Sequence, residues 1–359
     1  MQPSARGDPT RQAECHNPRM DWPGLWDSPA LGDRLQRAAL LPASHLYALG
    51  WRLYLGWYAL GFRKRYKVPV PVVCVGGISV GGTGKTPVTI AVGQLLQRAG
   101  LRVTISCSGY GGSSVFASVP PGQEAAPHMV GDEAVLLREA LSDAHLIVCK
   151  DRVRMAKTVE LHSDVDVILM DDGFQHLPLA RTLDLVVLDG ARPFGNGRCL
   201  PAGPLREPKS CLRRASALFV VGDRTPDSLP PLPTFHVIRR PKELRSLDGT
   251  QRRELALLRG EKVLAVSGIG NPERFEQTLR DLGASVTSLR FGDHHDYSAT
   301  DLDMLARTTS VTTEKDAVKL RSLPVELNIW VLREEVVFAN ERAVQDFLLT
   351  AISGESHVK

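Results

Sequence analysis

Cysteine is scarce in this chain of 359 residues: there are six, and no two form a CxxC pair. That excludes the common zinc and thioredoxin-type signatures. Cys74, Cys107 and Cys149 sit inside apolar runs, where a free thiol behaves as a small hydrophobe, and the composition fits a reducing compartment. No apolar run approaches about 20 residues without a charge, so an ordinary membrane-spanning helix is not expected. Neither sign of charge dominates: 44 Lys and Arg against 40 Asp and Glu leave a net +4. A nucleic-acid partner is therefore not expected, whereas an anionic substrate or an anionic membrane surface would fit. A full GxGxxG is absent from the "SGIGNPERF" turn, which argues against a dinucleotide site there. The guanine-reading NKxD is absent too; the nearest string, "TEKD" at 313–316, has the wrong spacing. No secretory signal is visible, because the first long apolar stretch begins late.

What is present is an ordinary globular composition, 43% hydrophobic and 23% charged, long enough for about two domains at roughly 100–200 residues each. Residues 1–39 read as a polar N-terminal extension. Residues 40–67, "LLPASHLYALGWRLYLGWYALGFRKRYK", join apolar and aromatic residues to a basic cluster, with Arg52 inside the run. Two readings stand side by side: a helix lying in a membrane interface, or a helix buried on the protein's own core. From residue 68 to 223, apolar strands at 70–75, 102–106, 145–149, 165–170, 184–188 and 217–221 alternate with amphipathic helices. The first helix is "PVTIAVGQLLQRAG". This pattern predicts an α/β fold, a parallel sheet covered by helices on both faces. The proline-rich residues 224–241 read as a linker. Residues 242–359 read as a second, smaller α/β domain with strands at 262–267, 285–290 and 326–332 and helices at 272–282 and 300–307.

The chemistry concentrates in "GGISVGGTGKTP", which follows the first strand. The template G-x-x-x-x-G-K-[ST] is met by Gly84, Lys85 and Thr86, with Ser79 where the first glycine belongs. Gly81, Gly82 and Gly84 still allow the backbone N–H groups of Ser79, Val80, Gly81, Gly82, Thr83 and Gly84 to turn around a phosphate at a helix N-terminus. Lys85 would reach the β- and γ-phosphates, and the Thr86 hydroxyl would ligate Mg2+. Such a P-loop needs a carboxylate at the end of a neighbouring strand, and "VDVILMDDGFQH" supplies Asp171 and Asp172. The missing NKxD favours ATP over GTP. A small-molecule kinase leads; the alternative is a P-loop ATPase switch acting on a protein partner. For the group that takes the acceptor's proton, "VGDEAVLL" offers Asp132, equally readable as a helix N-cap with Glu133 in the first turn. "FGDHHDY" offers a histidine, equally readable as exposed loop. The basic segment 190–214 reads as a long functional loop suited to an anionic acceptor.

Taken together, "VPVPVVCVGGISVGGTGKTPV", "GYGG", "VGDEAVLL", "DDGFQH", "GNGRCLPAGPLREP", "FGDHHDY" and "TTEKDAVKL" occur in one order. In that order the chain, from about residue 40 to the C-terminus, resembles the tetraacyldisaccharide 4'-kinase family of Gram-negative lipid A synthesis. The resemblance implies ATP- and Mg2+-dependent phosphorylation of a glycolipid, tetraacyldisaccharide 1-phosphate, to lipid IVA. It implies a P-loop NTPase-like domain joined by a short β linker to a second α/β/α domain. It also implies an N-terminal helix on the cytoplasmic face of the inner membrane, which selects the interface reading of residues 40–67. Carried over to matching positions, Asp132 is the base and His294 its partner, while Lys85 and Thr86 are P-loop ligands. Asp171, Asp172, Gln175 and Glu207 lie near the metal, and Glu133 and Arg206 face the substrate. The chain departs from the family pattern at Gly77, Ser108 and Ala134, where Asn, Arg and Pro are usual. Its oligomeric state is not legible.

Overall fold

The computed structural model describes residues 22–161, 164–222, 224–226, 228–293, 295–298, 301, 309–323 and 328–355. They form two compact units. The first takes in the described residues between 21 and 243 and between 333 and 359; the second takes in those between 244 and 332.

The first unit opens with α1 (Trp22–Asp27) and α2 (Leu31–Ala59). Then follow β1 (Val72–Gly76), α3 (Lys85–Arg98), β2 (Val103–Cys107), β3 (Phe116–Val119), α4 (Pro127–Val130), α5 (Asp132–Ala140), β4 (His145–Cys149), α6 (Arg152–Glu160), β5 (Val167–Asp171), β6 (Leu183–Asp189) and β7 (Ala217–Val221). β8 (Thr234–Ser246) begins in this unit. The strand order is β8-β7-β6-β1-β5-β2-β4-β3; every one of these pairings is parallel except the edge strand β3, which runs antiparallel to β4. β1, β2, β5 and β7 are buried at every position, because both faces are covered. Ile168 and Met170 pack with Met155, Ala156 and Val159 of α6. On the opposite face, a Cβ at Gly93 of α3 would come within 3.2 Å of Leu169.

The second unit holds β9 (Arg252–Arg253), β10 (Lys262–Ser267), α7 (Pro272–Asp281), β11 (Ser285–Arg290), β12 (Ser310–Thr313), α8 (Glu314–Leu320) and the start of β13 (Ile329–Phe338). Its parallel strands run β11-β10-β12-β13. Val266, Phe291, Ala317 and Val331 close one face, and Ala265, Phe275, Val311 and Trp330 the other.

Three features differ from the sequence reading. Residues expected in a loose extension include α1, where Leu25 and Trp26 are buried and the Trp26 indole donates to Pro201 O at 2.9 Å. α2 itself starts at Leu31 and runs through Pro42. Much of the expected linker is β8, paired in register with β7 from Leu218↔Thr234 to Val221↔Val237. The chain after residue 333 returns to the first unit: Ala339 N donates to His236 O, and the rings of Phe235 and Phe347 meet at 5.4 Å on α9 (Glu341–Glu355). The expected helix at 300–307 falls almost entirely outside the described residues.

Along α2, Ser44 is buried and Ala48 packs on the core, whereas Leu46, Leu49, Leu53, Trp57 and Leu60 are exposed. Their spacing of three or four residues puts them on one face. Among the described residues no helix is long and apolar enough to cross a membrane.

Candidate functional site

The parallel strands of the first unit end together, and the loops that leave them carry the expected site residues. After β1 the chain enters the P-loop. Ser79 bridges antiparallel to Leu205, Val80 N donates to Pro204 O at 2.8 Å, and Arg206 N donates to Ile78 O at 2.7 Å. The loop 199–206 thus flanks the P-loop as a short ribbon. Gly81 has φ 98, Gly82 is exposed, and Thr83 N closes a tight turn on Gly81 O at 3.0 Å. Gly84 caps α3 at φ 88, a left-handed conformation that only glycine adopts without strain. Lys85 is the first residue of the helix, so its N-terminal N–H groups and positive dipole end face the turn.

Asp171 ends β5 with the same parity as Leu169, so it points to the α3 side of the sheet. There Thr86 Oγ1 donates to Asp171 Oδ2 at 3.1 Å and Thr89 Oγ1 donates to Oδ1 at 2.6 Å. Burial pushes the Asp171 carboxyl up to about 7, and the charge of Glu133 adds to that push. A group so placed gains from a cation beside it. A carboxylate and a hydroxyl side by side form a hard oxygen donor set, which suits Mg2+. Among the described residues no cluster of three or more His, Cys, Asp or Glu forms a cage. A Mg2+ here would take its remaining ligands from phosphate and water.

Asp172 follows at φ 48, turning its carboxylate away from Asp171. Arg206 Nη1 holds both its oxygens, at 2.9 and 2.8 Å, and Lys85 Nζ lies 3.9 Å from Oδ2. Of the two acids, Asp171 alone carries the P-loop hydroxyls.

Gln175 and Glu207, expected near the metal, bond to each other, and Glu207 bonds to Arg214. Glu207 is fully buried, and Arg214 donates to both of its oxygens at 2.7 and 2.9 Å. Gln175 Nε2 donates to Glu207 Oε1 at 2.6 Å and to Gly77 O at 2.8 Å. Arg206 Nη1 also reaches Gln175 Oε1 at 3.3 Å. This network ties the P-loop entry to the loop 199–214, and Glu207 is saturated as the counter-ion of a buried guanidinium.

Asp132 is 3% exposed and is the first residue of α5, not its cap. The cap is Gly131 at φ 88, where a Cβ would lie 2.3 Å from Tyr110 O. The "GYGG" turn and the "VGDE" turn therefore interlock through glycine. Asp132 Oδ1 accepts from Glu133 N at 3.0 Å, and α5 packs on α3 and β4. His294 lies outside the described residues.

Two residues of this site escaped the sequence reading. Thr89 stands three residues after Thr86, one turn along the same helix face, and that spacing is the signal that would have found it. Arg152, 3% exposed, donates to Ser106 Oγ, Cys149 O and Asp171 O at 3.0, 3.0 and 3.1 Å. It ties three strand ends together, and nothing in "KDRVRMAK" announces that.

With this geometry in view, the comparisons fall into line. A family model described as tetraacyldisaccharide-1-P 4'-kinase matches residues 36–353. The tetraacyldisaccharide 4'-kinase of Chromobacterium violaceum is 41% identical over 310 residues, 84% of this chain and 90% of that one. The enzyme of the same name from Nitrosococcus oceani is 38% identical over 283 residues, 79% of this chain and 82% of that one. A crystal structure of LpxK from Aquifex aeolicus in complex with ATP matches with a TM-score of 0.75 at 31% identity, covering 88% of this chain and 99% of that chain.

Proposed function

Because the chain belongs to the tetraacyldisaccharide-1-P 4'-kinase family, we propose that it transfers the γ-phosphoryl group of ATP to the 4'-hydroxyl of tetraacyldisaccharide 1-phosphate, forming lipid IVA and ADP. The observation that carries this reading is the pairing of P-loop Thr86 with strand-end Asp171 at the start of α3.

Each residue then has a task. The loop 79–86 binds the triphosphate through backbone N–H groups and the N-terminus of α3. Lys85 donates to the β- and γ-phosphate oxygens, exchanging its distant contact with Asp172 for them. Thr86 and Asp171 would hold Mg2+, which would offset charge on the phosphates. Arg206, anchored on Asp172, presents its guanidinium edge to the acceptor or to the transferred group. Asp132 accepts the proton of the 4'-hydroxyl as that oxygen bonds to phosphorus and the bond to the ADP oxygen breaks. Glu133 binds the acceptor.

We place α2 in the headgroup region of the cytoplasmic face of the inner membrane. Supporting this are its exposed apolar face, with Leu46 70%, Leu53 59% and Leu60 73% exposed, and the cations of Arg63 and Arg65 over the Trp57 and Tyr58 rings.

The test supplies labelled ATP, Mg2+ and the glycolipid to the purified chain. Label should appear on the lipid, and Asp132→Asn should abolish transfer while ATP still binds. An unmodified lipid with wild-type protein overturns the activity; near-normal turnover of Asp132→Ala overturns the base.

A further inference from the structure

A cavity of about 410 Å3 opens beside α2, away from the P-loop ligands already assigned. On one side are Ser44, His45 and Arg52 of the helix; on the other are Arg198 and Lys209 of the long basic loop. Among the described residues its lining contains no Asp or Glu. The walls are fixed: Ser44 donates to Cys199 O at 2.7 Å, Tyr47 donates to Arg206 O at 2.8 Å, and the Lys209 ammonium sits over the Phe194 ring at 4.6 Å. Burial and the charge of Glu207 push the Cys199 thiol up, and the charge of Arg52 opposes them. Three cations that face one space without a carboxylate repel one another, and an anion among them removes that cost.

The position of Arg52 on the helix narrows the anion. Arg52 and His45 lie on the flank of α2 between the core-facing Ser44 and Ala48 and the exposed line Leu46, Leu53, Trp57 and Leu60. When that line rests in the acyl boundary, the cavity sits at headgroup depth. Leu41 and Ala48 give it an apolar floor.

We infer that this cavity is a subsite for the phosphate ester of an amphiphile, held by Arg52, Arg198 and Lys209. Two lipids carry that chemistry: the acceptor glycolipid through its existing 1-phosphate, and an anionic phospholipid of the bilayer. The first source rests on the activity proposed above; the second does not.

The experiment uses the full chain and the double variant Arg52→Gln/Arg198→Gln. Both side chains are exposed, so folding should survive, and a thermal melt checks it; Arg198→Gln alone serves if it does not. One arm measures KM and kcat for the glycolipid in detergent micelles. The other measures co-sedimentation with phosphatidylcholine vesicles with and without phosphatidylglycerol. If the glycolipid phosphate occupies the cavity, KM rises about tenfold or more with kcat unchanged. If a bilayer phosphate does, the extra binding given by phosphatidylglycerol disappears. Arg342→Gln, which removes one charge far along the chain on α9, should move neither. The inference is overturned if the folded variant keeps both wild-type readouts, or if Arg342→Gln shifts them equally. A wild-type chain inactive on the glycolipid defeats the proposed activity, and the vesicle arm still decides the cavity.

Discussion

The hydroxyl of Thr89 donates to Asp171 Oδ1 at 2.6 Å, one helical turn beyond Thr86, which donates to Oδ2 at 3.1 Å. Both oxygens of the strand-end carboxylate are therefore set by the helix that carries the P-loop lysine. A buried hydrogen bond to a charged group contributes about 1.5–3 kcal/mol. Thr89→Val, similar in shape but without the donor, should raise the Mg2+ concentration for half-maximal activity and weaken Mg2+-dependent thermal stabilisation; Thr89→Ser should restore both. Equal Mg2+ responses in the Val and Ser variants would show that Thr89 serves packing alone.

Glu207 gives the opposite expectation. Removing one partner of a buried ion pair costs about 3–5 kcal/mol, because the other charge stays buried without compensation. Glu207→Gln should lower the melting temperature by several degrees while the Mg2+ half-saturation of the folded fraction stays as in wild type. A changed Mg2+ requirement without loss of stability would return Glu207 to the metal.

His176 sets a pH dependence. Burial, then the positive charges of Arg152 and Arg181, push its pKa down to about 4. Folded His176 stays neutral where the unfolded chain would already be charged. Its contribution is fully present above about pH 6.5 and is lost as pH falls from there through about 4. Solvent screening limits it to about 1–2 kcal/mol. Thermal melts between these limits should show wild type losing more stability than His176→Gln; parallel curves would refute the assignment.

The exposed face of α2 predicts a separation of membrane binding from chemistry. Leu53→Glu with Trp57→Glu should greatly reduce vesicle co-sedimentation and leave kcat on micellar glycolipid intact. Retained sedimentation would move the membrane contact elsewhere.

Most of the first unit's parallel sheet was legible, because strands buried on both faces write themselves as unbroken apolar runs, as in "VILMD" of β5. The P-loop was legible despite Ser79, because glycine spacing and a following helix suffice. β8 was not: Pro230, Pro231 and Pro233 just before it masked a strand whose burial alternates only weakly. The return of residues 333–355 was not legible either, since nothing local tells a helix which unit it will join. Within the site, the residues proposed to meet phosphate carry motif spacing. Arg152, which holds Ser106 Oγ and two backbone carbonyls, follows no spacing rule and became visible only through its partners.

The second unit interrupts the chain of the first between residues 243 and 333. Phe219 and Phe235 of the first unit are met by rings that the chain supplies only after that interruption, Phe338 at 5.7 Å and Phe347 at 5.4 Å. A chain truncated within the inserted segment would keep the phosphate loop but lose Phe338 and Phe347, leaving apolar surface exposed to aggregation. The first unit's core is therefore assembled from two stretches of chain separated by about ninety residues, Leu244–Leu332.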